Sequence, residues 1–200
     1  MPSKADITKA HILDAAAALF NQQGYAGTSM ADLMAATGLK KGGIYNHFRN
    51  KDDIALAAFD LAVSRVNAQF MGAIRGQRHA VDRLMAILQV YRHMADAPPI
   101  AGGCPILNTA IDSDDVHPAL RDRAQRAMDS WRQLIHRIVE KGKQRGELRP
   151  DLDPEEASTV IIATIEGAVM LSKLYGDTTY MERTLRHLQA YVQTQRAQHA

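Results

Sequence analysis

Apolar residues recur at helical spacing in segment after segment of this chain, and no segment alternates apolar with polar side chains. That one pattern confines the fold to all-α. Ile12, Ala15, Ala16, Leu19 and Phe20 occupy the i, i+3, i+4, i+7 and i+8 positions of one helical face, and Trp131, Leu134, Ile135, Ile138 and Val139 repeat the rule. The sets Leu33 and Met34; Ile44, Tyr45 and Phe48; Ile54, Ala57, Ala58, Leu61 and Ala62; and Val81, Leu84, Met85, Leu88 and Tyr91 each mark a further helix. A short helix is expected around Ile106 to Ile111, a long apolar one through Ile161, Ile162, Ile165, Ala168 and Val169, and a last one from Tyr180 to Gln195. The count is about nine.

The punctuation agrees with the periodicity. Gly24 is placed to end the first helix, with Tyr25 folding back onto it, and Thr28 is placed to cap the second. Gly38 breaks that short helix. Asn50 with Asp53 opens the fourth, and Gly146 and Pro150 close the helix that carries Trp131. The run Ala97 to Pro105 holds three prolines and two glycines and interrupts the helices. Asp153-Pro154-Glu155-Glu156 is a helix start: a carboxylate cap, proline in the first turn, and acids at the positive end of the dipole.

Composition narrows the class. With 46% hydrophobic and 23% charged residues the chain has the apolar surface a folded domain needs, which excludes a disordered chain. No stretch of about 18 uninterrupted apolar residues appears, so no membrane span is expected, and Met1 to Thr8 lacks the pattern of a signal peptide. The single cysteine, Cys104, has no internal disulfide partner, which suits a reducing, cytoplasmic setting. The net charge is +2, and the first 52 residues hold all of it, six basic groups against four acidic. An anionic partner is expected at that end.

Thr28 to Phe48 is the informative segment. A helix, a glycine-containing turn and a second short helix make a helix-turn-helix, whose second helix must fit the major groove of DNA. Thr28, Lys40, Lys41, Tyr45, His47 and Lys51 put phosphate donors within one compact unit, and Gly42 and Gly43 leave little bulk between backbone and DNA. Taken singly these residues have ordinary roles, Phe48 as a core aromatic and Lys40-Lys41 as a charged face. Their order and spacing carry the reading.

Residues 10–60 resemble the DNA-binding region of the TetR family of bacterial transcription regulators. The matching pieces are Ala16 through Phe20, Gly24-Tyr25, Thr28-Ser29, Asp32-Leu33, Thr37-Gly38-Leu39, Lys41-Gly42, Ile44-Tyr45-Asn46-His47-Phe48 and Lys51. The resemblance implies a helix-turn-helix domain over 1–50 and a helical ligand-sensing and dimerisation domain over 51–200. It implies that Thr28 and Ser29 face a phosphate at the start of the second helix. Lys41 and Gly42 would begin the base-facing helix, and Tyr45, His47 and Lys51 would bond the DNA backbone. Lys40 departs from the pattern, because a small hydroxyl residue usually caps the recognition helix there; a lysine can instead reach a guanine edge or a phosphate. The implied partners are double-stranded DNA carrying a palindromic operator, a small-molecule effector and a second copy of the chain, with no membrane. A repressor released by its effector is the expected activity.

For the effector site the candidates are Phe59, Val63, Leu88, Tyr91, Leu107, Asn108, Met128, Trp131, Ile135 and Met170, an apolar set with a few polar points. Glu166 stands within an apolar helix and needs a cationic ligand or a basic group such as Arg132. Cys104 sits in Gly102-Gly103-Cys104-Pro105 at a helix start, which favours the thiolate. The segment resembles one in a branch of the family that includes electrophile-responsive repressors, so a thiol-based repressor is the alternative. A cysteine enzyme would need an orienting motif that the sequence does not offer, and a helical interaction module without DNA would leave the Thr28–Phe48 constellation without a use. The eight histidines, 11, 47, 79, 93, 117, 136, 187 and 199, show no metal-site spacing, and neither a metal nor a cofactor is expected.

Overall fold

The computed structural model describes residues 2–113 and 117–197; His199 lies outside the described residues. Among the described residues there are nine α-helices and no strand, only an isolated antiparallel bridge between Leu148 and Arg196, so the all-α expectation is met. The helices are α1 (Lys4–Gly27), α2 (Met30–Thr37), α3 (Lys41–Tyr45), α4 (Lys51–Ile74), α5 (Ala80–Asp96), α6 (Pro105–Ser113), α7 (Pro118–Gln144), α8 (Pro154–Tyr175) and α9 (Thr179–Thr194).

The chain forms two compact units. Unit 1 is Met1–Val66 with Pro99–Ala127, and unit 2 is Asn67–Pro98 with Met128–Ala200. In unit 1 the apolar faces read from the sequence converge: Ile12, Ala16, Leu33, Ile44, Ile54 and Ala58 are completely buried in one core. Two caps differ from expectation. Gly24, at φ +75°, kinks α1 instead of ending it, and the helix resumes to Gly27. Thr28 does not cap α2, because its buried hydroxyl donates to the Gly24 carbonyl at 2.9 Å. Ser29 is the cap: its hydroxyl accepts from the Asp32 amide, and the Asp32 carboxylate accepts from the Ser29 amide. This reciprocal box needs an acid three residues after the cap, which Ser29 has and Thr28 lacks. Asn50 caps α4 as expected, accepting from the Asp53 amide at 2.8 Å.

In unit 2, α9 packs against both α5 and α8. Asp153 caps α8 by accepting from the Glu155 amide at 2.8 Å, and Gly176 ends it in the left-handed region. The Glu147 carboxylate accepts from the first amide of α5, at Ala80, at 2.7 Å. α8 is the one described helix long and apolar enough to cross a membrane by length and composition. Its Ile161, Ile162, Ile165 and Ala168 are buried in the chain, while Val160, Met170, Leu174 and Tyr175 remain exposed.

Candidate functional site

α3 has only five residues, two of them glycine, and the residue at its N-cap, Lys40, makes no side-chain cap. Each glycine lowers helix propensity by about 1 kcal/mol relative to alanine, so local preference does not hold this turn together. Packing does. Ile44 is completely buried and Phe48 nearly so, which pins α3 to the core and turns Lys40, Lys41, Gly42 and Tyr45 outward. The Lys41 ammonium stands 5.6 Å from the centre of the Tyr45 ring, and a side chain at Gly42 would meet open space. The turn before α3 is tied at Thr37: its hydroxyl donates to the Leu33 carbonyl at 2.7 Å, and its carbonyl lies 2.9 Å from His11 Nε2. His47 follows α3, half-buried, with its amide donating to the Ile44 carbonyl at 3.0 Å.

Three residues of the expected set stand differently. Thr28 is completely buried, so its side chain lies behind the surface it was expected to share; this corrects its expected contact with a phosphate. The Ser29 hydroxyl is exposed but already donates to Asp32 at 2.7 Å, and that bond holds the Asp32 carboxyl below the usual carboxylate range. Lys51 donates to the Tyr25 carbonyl at 2.5 Å and sits 4.1 Å from the centre of the Tyr25 ring.

Tyr25, read from the sequence as folding back onto the first helix but left out of the site, joins several of these groups. Its amide donates to Asp112 Oδ2 at 2.7 Å, its hydroxyl donates to the Asp52 carboxylate, and its ring meets His117 edge-on at 4.5 Å. Burial, then the bond to Asp52 and that group's negative charge, push the phenol up to about 12. Because the folded value lies above the ordinary value near 10, this group's contribution to stability is complete below pH 10 and is lost as pH rises through about 12. In a titration of tyrosine absorbance the signal removed by Tyr25→Phe should therefore be the part that ionises near pH 12; its appearance near pH 10 would show that neither the burial of the ring nor the Asp52 bond holds in solution.

The effector candidates fall in both units. In unit 1, Phe59 and Asn108 line a cleft, Val63 and Leu107 are half-buried, and Cys104 is buried at the start of α6 with its sulfur 3.5 Å from the Leu107 amide. The buried thiol offers no observation that favours the thiol-based alternative. In unit 2, Tyr91, Trp131 and Ile135 line an apolar cavity with Phe70, Ile87 and three isoleucines of α8. The rings of Phe70, Tyr91 and Trp131 stand 5.2–6.3 Å apart, and the Trp131 indole donates to Asn67 Oδ1 at 2.8 Å. Leu88 is buried, Met128 half-buried and Met170 exposed. Glu166 is buried, and Arg132 pairs with Glu155 at 2.7 Å and Asp129 at 3.2 Å.

A two-helix head with an outward face of lysine, glycine and tyrosine, joined to a helical unit with an aromatic cavity, defines a helix-turn-helix regulator of transcription. Residues 12–58 match the family model described as bacterial regulatory proteins, tetR family, and residues 80–188 match the tetracyclin repressor-like C-terminal domain. The chain belongs to the TetR family and is a DNA-binding transcriptional regulator. The crystal structure of a TetR transcriptional regulator from Chloroflexus aurantiacus is 48% identical, with a TM-score of 0.93 over 96% of this chain and 98% of that one. The transcriptional repressor DhaR of Mycobacterium sp. (strain GP1) is 23% identical over 82% of this chain and 81% of its own length. The A-factor receptor protein of Streptomyces griseus is 26% identical over 81% of this chain and 54% of its own length.

Proposed function

We propose that the protein is a cytoplasmic repressor that binds a palindromic operator as a homodimer and releases it when a small molecule binds. The observation that carries this reading is the outer face of α3, where Lys40, Lys41, Gly42 and Tyr45 are exposed while Ile44 and Phe48 anchor the same turn from behind. Lys41 and Gly42 enter the major groove, and Lys40, freed from capping, reaches a guanine edge or a phosphate. Tyr45, His47, Ser29 and Lys51 contact the backbone and set the register.

The exposed Val160, Met170, Leu174 and Tyr175 of α8 meet a second copy, with α9 completing a four-helix interface. Two heads on a two-fold axis then read half-sites about 34–36 Å apart. The effector is an apolar molecule that parts the aromatic cluster of unit 2, whose cavity of about 10 Å³ is closed without it, and it acts by binding more tightly to the state that does not hold DNA. Repression is supported by the relative named a repressor, and a ligand by the relative named a receptor.

Lys51→Ala should weaken operator binding by a similar factor on every sequence and lower the salt slope by about one per head. An effect confined to particular base pairs would contradict the backbone role. For the reading as a whole the test is binding of a selected operator, followed by fluorescence anisotropy across a range of salt. A steep fall in affinity with salt and a stoichiometry of two chains per duplex are expected; salt-independent binding, or one chain per duplex, would refute it.

A further inference from the structure

The kink of α1 is held from outside the helix. In an unbroken helix the Tyr25 amide would donate to the Asn21 carbonyl, one turn back. Gly24, with φ 75° and ψ 170°, turns that amide out of the helix. α6 serves both groups: the Tyr25 amide donates to Asp112 Oδ2 at 2.7 Å, and the Asn21 carbonyl accepts from Asn108 Nδ2 at 3.0 Å. Asn108 and Asp112 stand one turn apart, so a single face of α6 carries the donor and the acceptor that the kink requires. Glycine is required at the kink. Its φ lies in the left-handed region, and an added Cβ would lie 2.4 Å from Asp112 Oδ1, which would drive the carboxylate off the Tyr25 amide.

From Tyr25 the contacts run on to the first turn of α4. The Tyr25 carbonyl accepts from the Lys51 ammonium at 2.5 Å, the ring centre lies 4.1 Å from that ammonium, and the hydroxyl donates to the Asp52 carboxylate. Both backbone groups of one residue are thus tied, the amide to α6 and the carbonyl to Lys51.

We propose that Asp112 is a positioning residue for DNA binding: it fixes the Tyr25 backbone, and Tyr25 in turn aims the Lys51 ammonium at a phosphate. The proposal rests on the reading of Lys51 as a contact to the DNA backbone. An ammonium has three protons, so the one given to the Tyr25 carbonyl leaves others for phosphate oxygens. A lysine aimed beforehand loses less rotamer freedom when it binds. Charge alone predicts the opposite effect of Asp112, because removing a carboxylate raises affinity for a polyanion.

The test is a double-mutant cycle on operator affinity with the full-length protein, run well below each variant's melting temperature. Asp112→Ala should weaken binding about tenfold on every sequence and lower the salt slope by about one per head, as Lys51→Ala does. The double variant should bind no more weakly than Lys51→Ala alone. Asp112→Asn, whose side-chain oxygen still accepts the Tyr25 amide, should keep the wild-type slope. Undiminished or raised affinity of Asp112→Ala, additive losses in the double variant, or an Asn variant as weak as the Ala variant would overturn the proposal. If Lys51→Ala binds as the wild type does, the backbone reading of Lys51 falls and the proposal falls with it; a loss in Lys51→Ala without one in Asp112→Ala removes the proposal alone. Should Asp112→Ala not fold, hydrogen exchange at the Tyr25 amide of the wild type decides. Protection that persists on the operator is expected, and its loss there would overturn the positioning role.

Discussion

Replacing Lys41 with alanine should lower operator affinity about a hundredfold and relax the base preference at the position it reads. A base-reading contact is worth about 1–3 kcal/mol, and a dimer loses it twice. The side chain is exposed at the first turn of α3, and the ring of Tyr45, 5.6 Å from its ammonium, keeps it at the outer face. No core contact is removed, since Ile44 and Phe48 hold the turn from the other side. The melting temperature should therefore be unchanged while anisotropy titrations on the operator and its base-substituted variants converge on one weak affinity. Undiminished discrimination among those duplexes would remove Lys41 from the reading surface.

The second large effect is on stability. Gly102→Ala should cost about 3–5 kcal/mol, a large part of the 5–15 kcal/mol that holds a typical domain. Gly102 has φ +109°, and an added Cβ would lie 2.7 Å from the backbone oxygen of Asn21. The loop around it is tied by a knot of asparagine bonds. Asn21 Nδ2 donates to the carbonyls of Ala101 (2.9 Å) and Gly103 (3.0 Å), and Asn108 Nδ2 donates to Asn21 Oδ1 (2.9 Å) and to the Gly102 carbonyl (2.8 Å). Backbone cannot yield as a flexible side chain does, so the loop must lift and leave both amides short of partners. Gly76→Ala is the control: its φ is +85° but its surroundings are open, so it carries strain without a clash. Urea denaturation should show a much lower midpoint for Gly102→Ala than for Gly76→Ala. Equal midpoints would mean that the asparagine knot contributes little.

The sequence made the helices legible because their signals are local. The apolar stripe of the helix carrying Trp131 and the Asp153-Pro154 start needed no knowledge of the partner element, and both stand as read. The cap of α2 was also local but was misassigned to Thr28, although Ser29 with Asp32 three residues on satisfies the reciprocal box. α3 was legible only through the order of its motif residues, since Lys40, Gly42 and Gly43 carry almost no helical signal of their own.

What stayed hidden is pairing at a distance. Asn21 meets Asn108, and Tyr25 meets Asp112, each pair 87 residues apart, and no local pattern announces either contact. The same blindness made the effector candidates look like one set, whereas Phe59 and Asn108 line a cleft in unit 1 and Tyr91 and Trp131 a cavity in unit 2. The bond from the Lys51 ammonium to the Tyr25 carbonyl, 26 residues back, was equally invisible, because nothing in the neighbourhood of Lys51 announces that partner.

The most direct test of the central claim is selection from a random duplex library with the full-length protein and with the double variant Lys40→Ala, Lys41→Ala. The wild type should enrich a two-fold symmetric sequence with half-site centres about one helical turn apart, and the variant, folded and dimeric, should enrich none. Enrichment of the same palindrome by both proteins, or of no sequence by the wild type, would contradict the assignment of DNA reading to α3.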